Sequence, residues 1–246
     1  MNQKTRVSYQ EKDKVFIITL NRPNQHNALD QQGIHELANA FKEFERSNTR
    51  VAILETSGKH FCSGIDLNDL PDASIALPGI GINLTKPWIA CVSGAAAGFG
   101  LALVTQSDLC IASNDSFFIY PEAKVGFSGG LISGLTLRIP TKIANEMIYL
   151  GEAIKADRAK EVGLINQIVQ PGEEKKKAME LAEKITQRAP LVIKALKKLI
   201  TETIPLSPAE QSGRTKRYLN PVENSQDMVE GLKAFKDKKS PKFFGK

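Results

Sequence analysis

The chain has 246 residues, 41% of them hydrophobic and 24% charged, with a formal net charge of +6. That is enough apolar material for a sizeable core and too much for a disordered chain. The polar opening "MNQKTRVSYQEKDK" carries no export signal, no apolar run approaches bilayer-spanning length, and the three cysteines form no C-x-x-C pair, so a cytoplasmic globular protein with reduced thiols and no membrane partner is expected.

In chain order, "VFIITL" (Val15–Leu20) reads as a strand and leads into an Asn-Arg-Pro turn. A helix is predicted over 30–46, where Ile34, Leu37, Ala38, Phe41 and Phe44 recur at three- and four-residue spacing behind an Asp30 cap. Strands follow at Val51–Thr56, Trp88–Val92 and 109–112, an alternation that suits βαβ crossovers. Two glycine turns interrupt it. In "HFCSGIDLNDL", Ser63, Gly64, Ile65 and Asp66 read as a strand end turning into a helix, with Asp66 or Ser63 as cap. In "GAAAGFGLALVTQSD", a strand end runs into a helix starting at 98–100. Small residues there let a ligand approach first-turn N–H groups at the positive end of a helix dipole, and tight helix–sheet packing accounts for them equally well. Two such turns offering an N–H each to one carbonyl oxygen would make an oxyanion hole.

Beyond residue 140 helical patterns dominate. "EEKKKAMELAEKITQR" puts Ala178, Leu181, Ala182 and Ile185 on one face, with Glu173 paired to Lys177 and Glu180 to Lys184 on the other. Helices are also predicted over 191–202 and 222–235. The resulting layout is an α/β core at 1–190 and a helical region at 191–246. The last 16 residues hold six lysines and one aspartate, which reads as a solvated tail or as a site for a phosphorylated ligand. His26, His35 and His60 show no ligand-like spacing, so no metal is expected, and no partner base marks Cys62 as a nucleophile. Basic and aromatic residues interleave too sparsely for nucleic-acid binding.

Six segments, in order, resemble the enoyl-CoA hydratase/isomerase (crotonase) family: "LNRPNQHNAL", "FCSGIDL", "KPWIACVSGAAAGFGLALVTQSDLCIAS", "FFIYPEAKVGF", "ADRAKEVGLINQIV" and "AFKDKKSPKF". The resemblance covers essentially the whole chain. It implies a crotonase-like α/β fold, a (ββα)-type repeated spiral core with a C-terminal helical trimerisation region. It also implies an acyl-CoA substrate, no cofactor beyond the coenzyme A of that substrate, and assembly as homotrimers or dimers of trimers. The family holds the thioester oxygen with two backbone N–H groups that match Ile65 and Phe99, the latter standing where many members have glycine. Ala28 and Gly64 match coenzyme A-contacting turns, and Gly98 and Gly100 flank Phe99 as substrate-binding positions. Tyr120 and Ser128 flank Glu122 as candidates for the acyl pocket, Tyr120 as a substrate-binding position, with ordinary core or turn roles as the plainer reading. Phe235 and Lys238 match C-terminal residues that reach adenine or phosphate, sometimes on a neighbouring subunit.

Hydratases of the family position water with two glutamates. The first position falls on Ala102, and the second is Glu122, for which a turn-capping role is the plain alternative. One carboxylate suffices to move a proton along a 3-enoyl thioester, whereas water loses a partner. Isomerisation of 3-enoyl-CoA to 2-enoyl-CoA is therefore expected. It stands ahead of hydratase or decarboxylase chemistry on a specialised acyl-CoA or acyl-carrier-protein thioester, and ahead of an idle coenzyme A-binding paralogue. Gly130 occupies the place where dienoyl isomerases and hydroxyacyl-CoA hydrolases tend to carry an aspartate. Residues 67–86 form a short, proline-bearing stretch where members often have a longer helical segment over the acyl chain. Asp66 and Asp69 read as helix caps.

Overall fold

The computed structural model describes residues 5–246. β1 (Val7–Lys12) and β2 (Val15–Leu20) form an antiparallel hairpin turned at Asp13 and Lys14, both at positive φ. α1 (Gln31–Arg46) starts as expected, with the Asp30 carboxylate accepting the Gly33 N–H at 2.8 Å, and its apolar stripe is fully buried. β3 (Val51–Thr56) and β4 (Trp88–Val92) continue the sheet in parallel. Next come β5 (Ala95–Ala97), α2 (Phe99–Gln106), β6 (Leu109–Ser113), β7 (Phe117–Ile119) and the single turn α3 (Glu122–Val125). α4 (Thr141–Leu150), β8 (Ile154–Lys155), α5 (Ala156–Glu161) and β9 (Gln167–Val169) complete the α/β part. Four helices follow: α6 (Glu174–Thr186), α7 (Pro190–Thr203), α8 (Pro208–Glu223) and α9 (Gln226–Asp237).

The strands make two sheets, one ordered β1-β2-β3-β4-β6-β9 and a smaller one ordered β5-β7-β8. β2 through β9 of the larger sheet run parallel and are covered on both faces, which explains why their sequences are continuous apolar runs rather than alternating ones. One face packs on α1, where Phe41 meets Trp88 edge-on with centroids 5.2 Å apart. The other, made by Val15, Ile17, Ile53, Ile89 and Ile111, lies under Ala178 and Ala182 of α6.

Several expectations change. No helix follows the Gly64 turn: Ile65 pairs with Leu29 as an isolated parallel bridge, which holds the chain extended. Asp66 therefore caps no helix but bonds the Asn68 N–H and pairs with Arg22 at 3.3 Å. Asp69 does cap a helix, though a distant one, its carboxylate accepting the Gln31 N–H that opens α1 at 2.5 Å. β8 and β9 lie beyond residue 140, too short to show a period, and are drafted by β7 and β6. α8 begins with a Ser207–Glu210 capping box, and what reads as one helix over 222–235 is broken between α8 and α9, where Ser225 caps the Met228 N–H at 3.0 Å. On α6 the ion pair formed is Lys177 with Glu180 at 2.9 Å, not the predicted four-residue pairs. Among the described residues, no helix is long and apolar enough to cross a membrane.

Candidate active site

The two glycine turns lie side by side because the segments leading into them are hydrogen-bonded in parallel. Phe61 N–H donates to Ser93 O at 2.8 Å, Cys62 N–H to Ala95 O at 3.0 Å, and Ala97 N–H to Cys62 O at 2.8 Å. The stripped side chains make that approach feasible. A Cβ on Gly94 would fall 2.5 Å from the Lys59 carbonyl oxygen, and one on Gly100 would fall 2.4 Å from that of Cys62. Gly64 (φ +113°) and Gly98 (φ +51°) end the paired stretch in the region that favours glycine, and a Cβ on Gly98 would sit 3.8 Å from Gly64 Cα. Each is followed by a residue whose N–H is open. Among the described residues, neither Ile65 nor Phe99 donates its N–H to a protein acceptor. Phe99 is also the first residue of α2, so the helix dipole reinforces its donor.

Glu122 reaches the same place through the smaller sheet. β5 pairs in parallel with β7, Ala97 opposite Ile119, and Gly98 N–H donates to Ile119 O at 3.0 Å. Three residues beyond Ile119 the chain opens α3 with Glu122. A cavity of about 260 Å³ results, lined by Ile65, Gly98, Phe99, Ala102, Tyr120 and Glu122. The Glu122 carboxylate accepts the Gly129 N–H at 3.2 Å, and the Tyr120 phenol lies close enough to feel its charge. Burial, and then the neighbouring carboxylate, push the Tyr120 phenol well above its usual range, so it stays protonated. Its oxygen also lies 3.5 Å from Ser128 Oγ. Ala102, 1% exposed, faces this cavity with a methyl group where a second carboxylate would stand.

The other sequence-derived positions fall away from the cavity wall. Ala28 sits beside the Gly64 turn, its carbonyl taken by Arg22 at 2.7 Å. Gly100, in the first turn of α2, is packed against Cys62. Phe235, 83% exposed, and Lys238, the left-handed cap of α9, do not line this chain's cavity. Burial pushes the Cys62 thiol up to about 12, which removes it as a nucleophile near neutral pH. Among the described residues, no group of three or more His, Cys, Asp or Glu could hold a metal ion. Sequence reading misses the far wall altogether, where α8 contributes Ala209, Ser212, Gly213 and Lys216. The signal for it is Ser207-x-x-Glu210, a capping box followed by cavity-facing residues at helical spacing.

Two open backbone donors and a carboxylate around one cavity form an arrangement suited to stabilising and protonating an enolate. The chain belongs to the enoyl-CoA hydratase/isomerase family, whose model matches residues 10–246. It is 36% identical to the carnitinyl-CoA dehydratase of Proteus mirabilis (strain HI4320) over 94% of this chain and 95% of that protein. Among solved structures, a probable enoyl-CoA hydratase/isomerase from Mycobacterium abscessus superposes with a TM-score of 0.77 at 34% identity, covering 99% of this chain and 100% of the other. The carnitinyl-CoA hydratase of Mycobacterium avium gives 0.77 at 28% identity, with the same coverage.

Proposed function

We propose that the chain isomerises 3-enoyl-CoA to 2-enoyl-CoA through an enolate. The observation that carries the reading is that one cavity is lined by both Glu122 and Ala102: a proton carrier is present, and the residue aligned with the family's first glutamate is an alanine. The thioester oxygen accepts the Ile65 and Phe99 N–H groups. Glu122 removes a proton from C2, the C–H electron pair moves into a dienolate, and the negative charge collects on the held oxygen. Glu122 then returns the proton to C4, leaving the double bond between C2 and C3. The Gly129 N–H orients the carboxylate. General acid–base groups supply about 10²–10⁴-fold and an oxyanion donor about 10²–10³-fold, enough for each to be read by substitution.

Appearance of conjugated-thioester absorbance from 3-enoyl-CoA tests the reading, with Glu122→Gln expected to lower kcat about 10²–10⁴-fold while thioester binding persists. Hydration of 2-enoyl-CoA without isomerisation of the 3-enoyl compound would overturn it. A second reading is favoured by the 36% identical relative named a dehydratase. There Glu122 would take the C2 proton of a 3-hydroxyacyl-CoA and deliver it to the departing hydroxyl. Product formation from 3-hydroxyacyl-CoA alone would select it. Assembly through 191–246 as trimers or dimers of trimers belongs to the same proposal, with Phe235 and Lys238 completing a neighbour's coenzyme A site. It is supported by the exposed apolar side chains of Leu191, Leu199, Val229 and Phe235 on α7 and α9.

A further inference from the structure

Ile65, Phe99, Phe127 and Leu131 line the cavity with apolar groups, whereas the stripe that α8 contributes to the lining is small and polar: Ala209, Ser212, Gly213 and Lys216. These positions are spaced three, one and three residues apart, so they share one helix face. An aliphatic acyl tail would be served by large apolar side chains there, and the stripe has none.

The stripe is also fixed in position. A Cβ on Gly213 would lie 2.5 Å from the Ile80 carbonyl oxygen, so α8 rests directly on the backbone of the loop below it. Arg217 donates to the carbonyls of Gly79 and Ile80. At the start of α8 the buried Glu210 carboxylate, held ionised by Ser207 and Arg138, bonds the Arg138 guanidinium at 2.8 Å. Lys216 has no ion-pair or hydrogen-bond partner among the described residues. Two other charged groups line the cavity. Glu122 is the proton carrier, and Asp72 is engaged with the Ser74 N–H at 3.1 Å and hydroxyl at 2.5 Å. A cation that lines the cavity without a partner, its side chain otherwise exposed to solvent and its helix fixed to the loop below, is a receptor for negative charge.

We propose that the acyl group accepted here is short and ends in a carboxylate, and that Lys216 is the residue that selects it. The proposal rests on the reading of the cavity as the acyl site of a coenzyme A thioester. Binding of unreactive saturated thioesters separates the two, because it does not depend on which reaction follows. Calorimetry with glutaryl-CoA, butyryl-CoA and 4-(trimethylammonio)butyryl-CoA is expected to give the tightest binding to the first and the weakest to the last. In Lys216→Met the glutaryl-to-butyryl affinity ratio should fall about tenfold, the scale of one charge-assisted hydrogen bond. Lys216→Glu should move preference towards the trimethylammonio compound. Equal ratios in wild type and Lys216→Met overturn the assignment while leaving the acyl-CoA reading intact; failure of all three thioesters to bind overturns both.

Discussion

Phe99 separates what its N–H does from what its ring does. Phe99→Leu keeps the donor and most of the apolar wall, whereas Phe99→Pro removes the donor at a helix position that tolerates proline, the first of α2. Turnover of the proline variant is expected to fall about 10²–10³-fold below that of the leucine variant, with near-ultraviolet circular dichroism checking that both fold. Ala102→Glu makes the complementary change by adding a carboxylate to the same wall. The ratio of hydration to isomerisation, measured on 2-enoyl-CoA and 3-enoyl-CoA separately, should rise. The sequence could mark these residues by identity and spacing, Glu122 behind "YP" and Ala102 at the position the resemblance aligns with an acid, and the structure brings them with Phe99 to one cavity. Lys216 was not legible, since an isolated lysine in a basic chain resembles any solvated one until α8 is laid against the cavity.

At the scale of elements, the ladder between 60–64 and 94–98 depends on a neutral imidazole. His60 Nδ1 accepts the Ala95 N–H at 3.1 Å, and burial, then nearby His26 and Lys59, lower its pKa from the ordinary 6.5. Below 6.5 the unfolded chain takes up a proton that the folded chain refuses, so stability should decline as pH falls from 6.5 towards the lower folded value. Thermal unfolding at pH 7.5 and pH 5.5 measures the decline, and His60→Asn, which retains an acceptor without titrating, should show less of it. Lys86 closes the far end of α1, its buried ammonium donating to the carbonyls of Phe44, Ser47 and Thr49. Lys86→Met would leave the Ser47 and Thr49 oxygens without their donor, while Phe44 O keeps the Ser47 hydroxyl, and should cost about 1–3 kcal/mol in a urea titration. Long amphipathic or continuous apolar elements such as α1, β2 and β3 could be read from sequence. β8 and β9 could not, because two or three residues carry no period and their neighbours decide their conformation. The helix expected after Gly64 failed for a related reason: its bridge to Leu29 is a long-range contact that outweighs a local cap signal.

Across the whole molecule, α7 has no buried residue, and α7 to α9 leave large apolar side chains exposed, among them Leu191, Leu199, Val229 and Phe235, as a surface covered by another chain would. Light scattering is expected to give a mass that is a multiple of three 27.0 kDa chains, and Leu199→Glu should shift it towards one. If Phe235 and Lys238 complete a neighbour's site, the dissociated variant will also show a raised KM for coenzyme A thioesters with kcat less affected. The contact of Gly64 with Gly98 has a consequence of another kind. The two donors proposed to hold the thioester oxygen belong to two stretches of main chain and are indifferent to what side chains the surrounding wall displays. On that proposal oxyanion stabilisation is a constant of the scaffold, while the reaction it serves is a variable set by one or two nearby groups. A catalyst built that way can exchange one chemistry for another by point substitution without rebuilding the part that does most to lower the barrier.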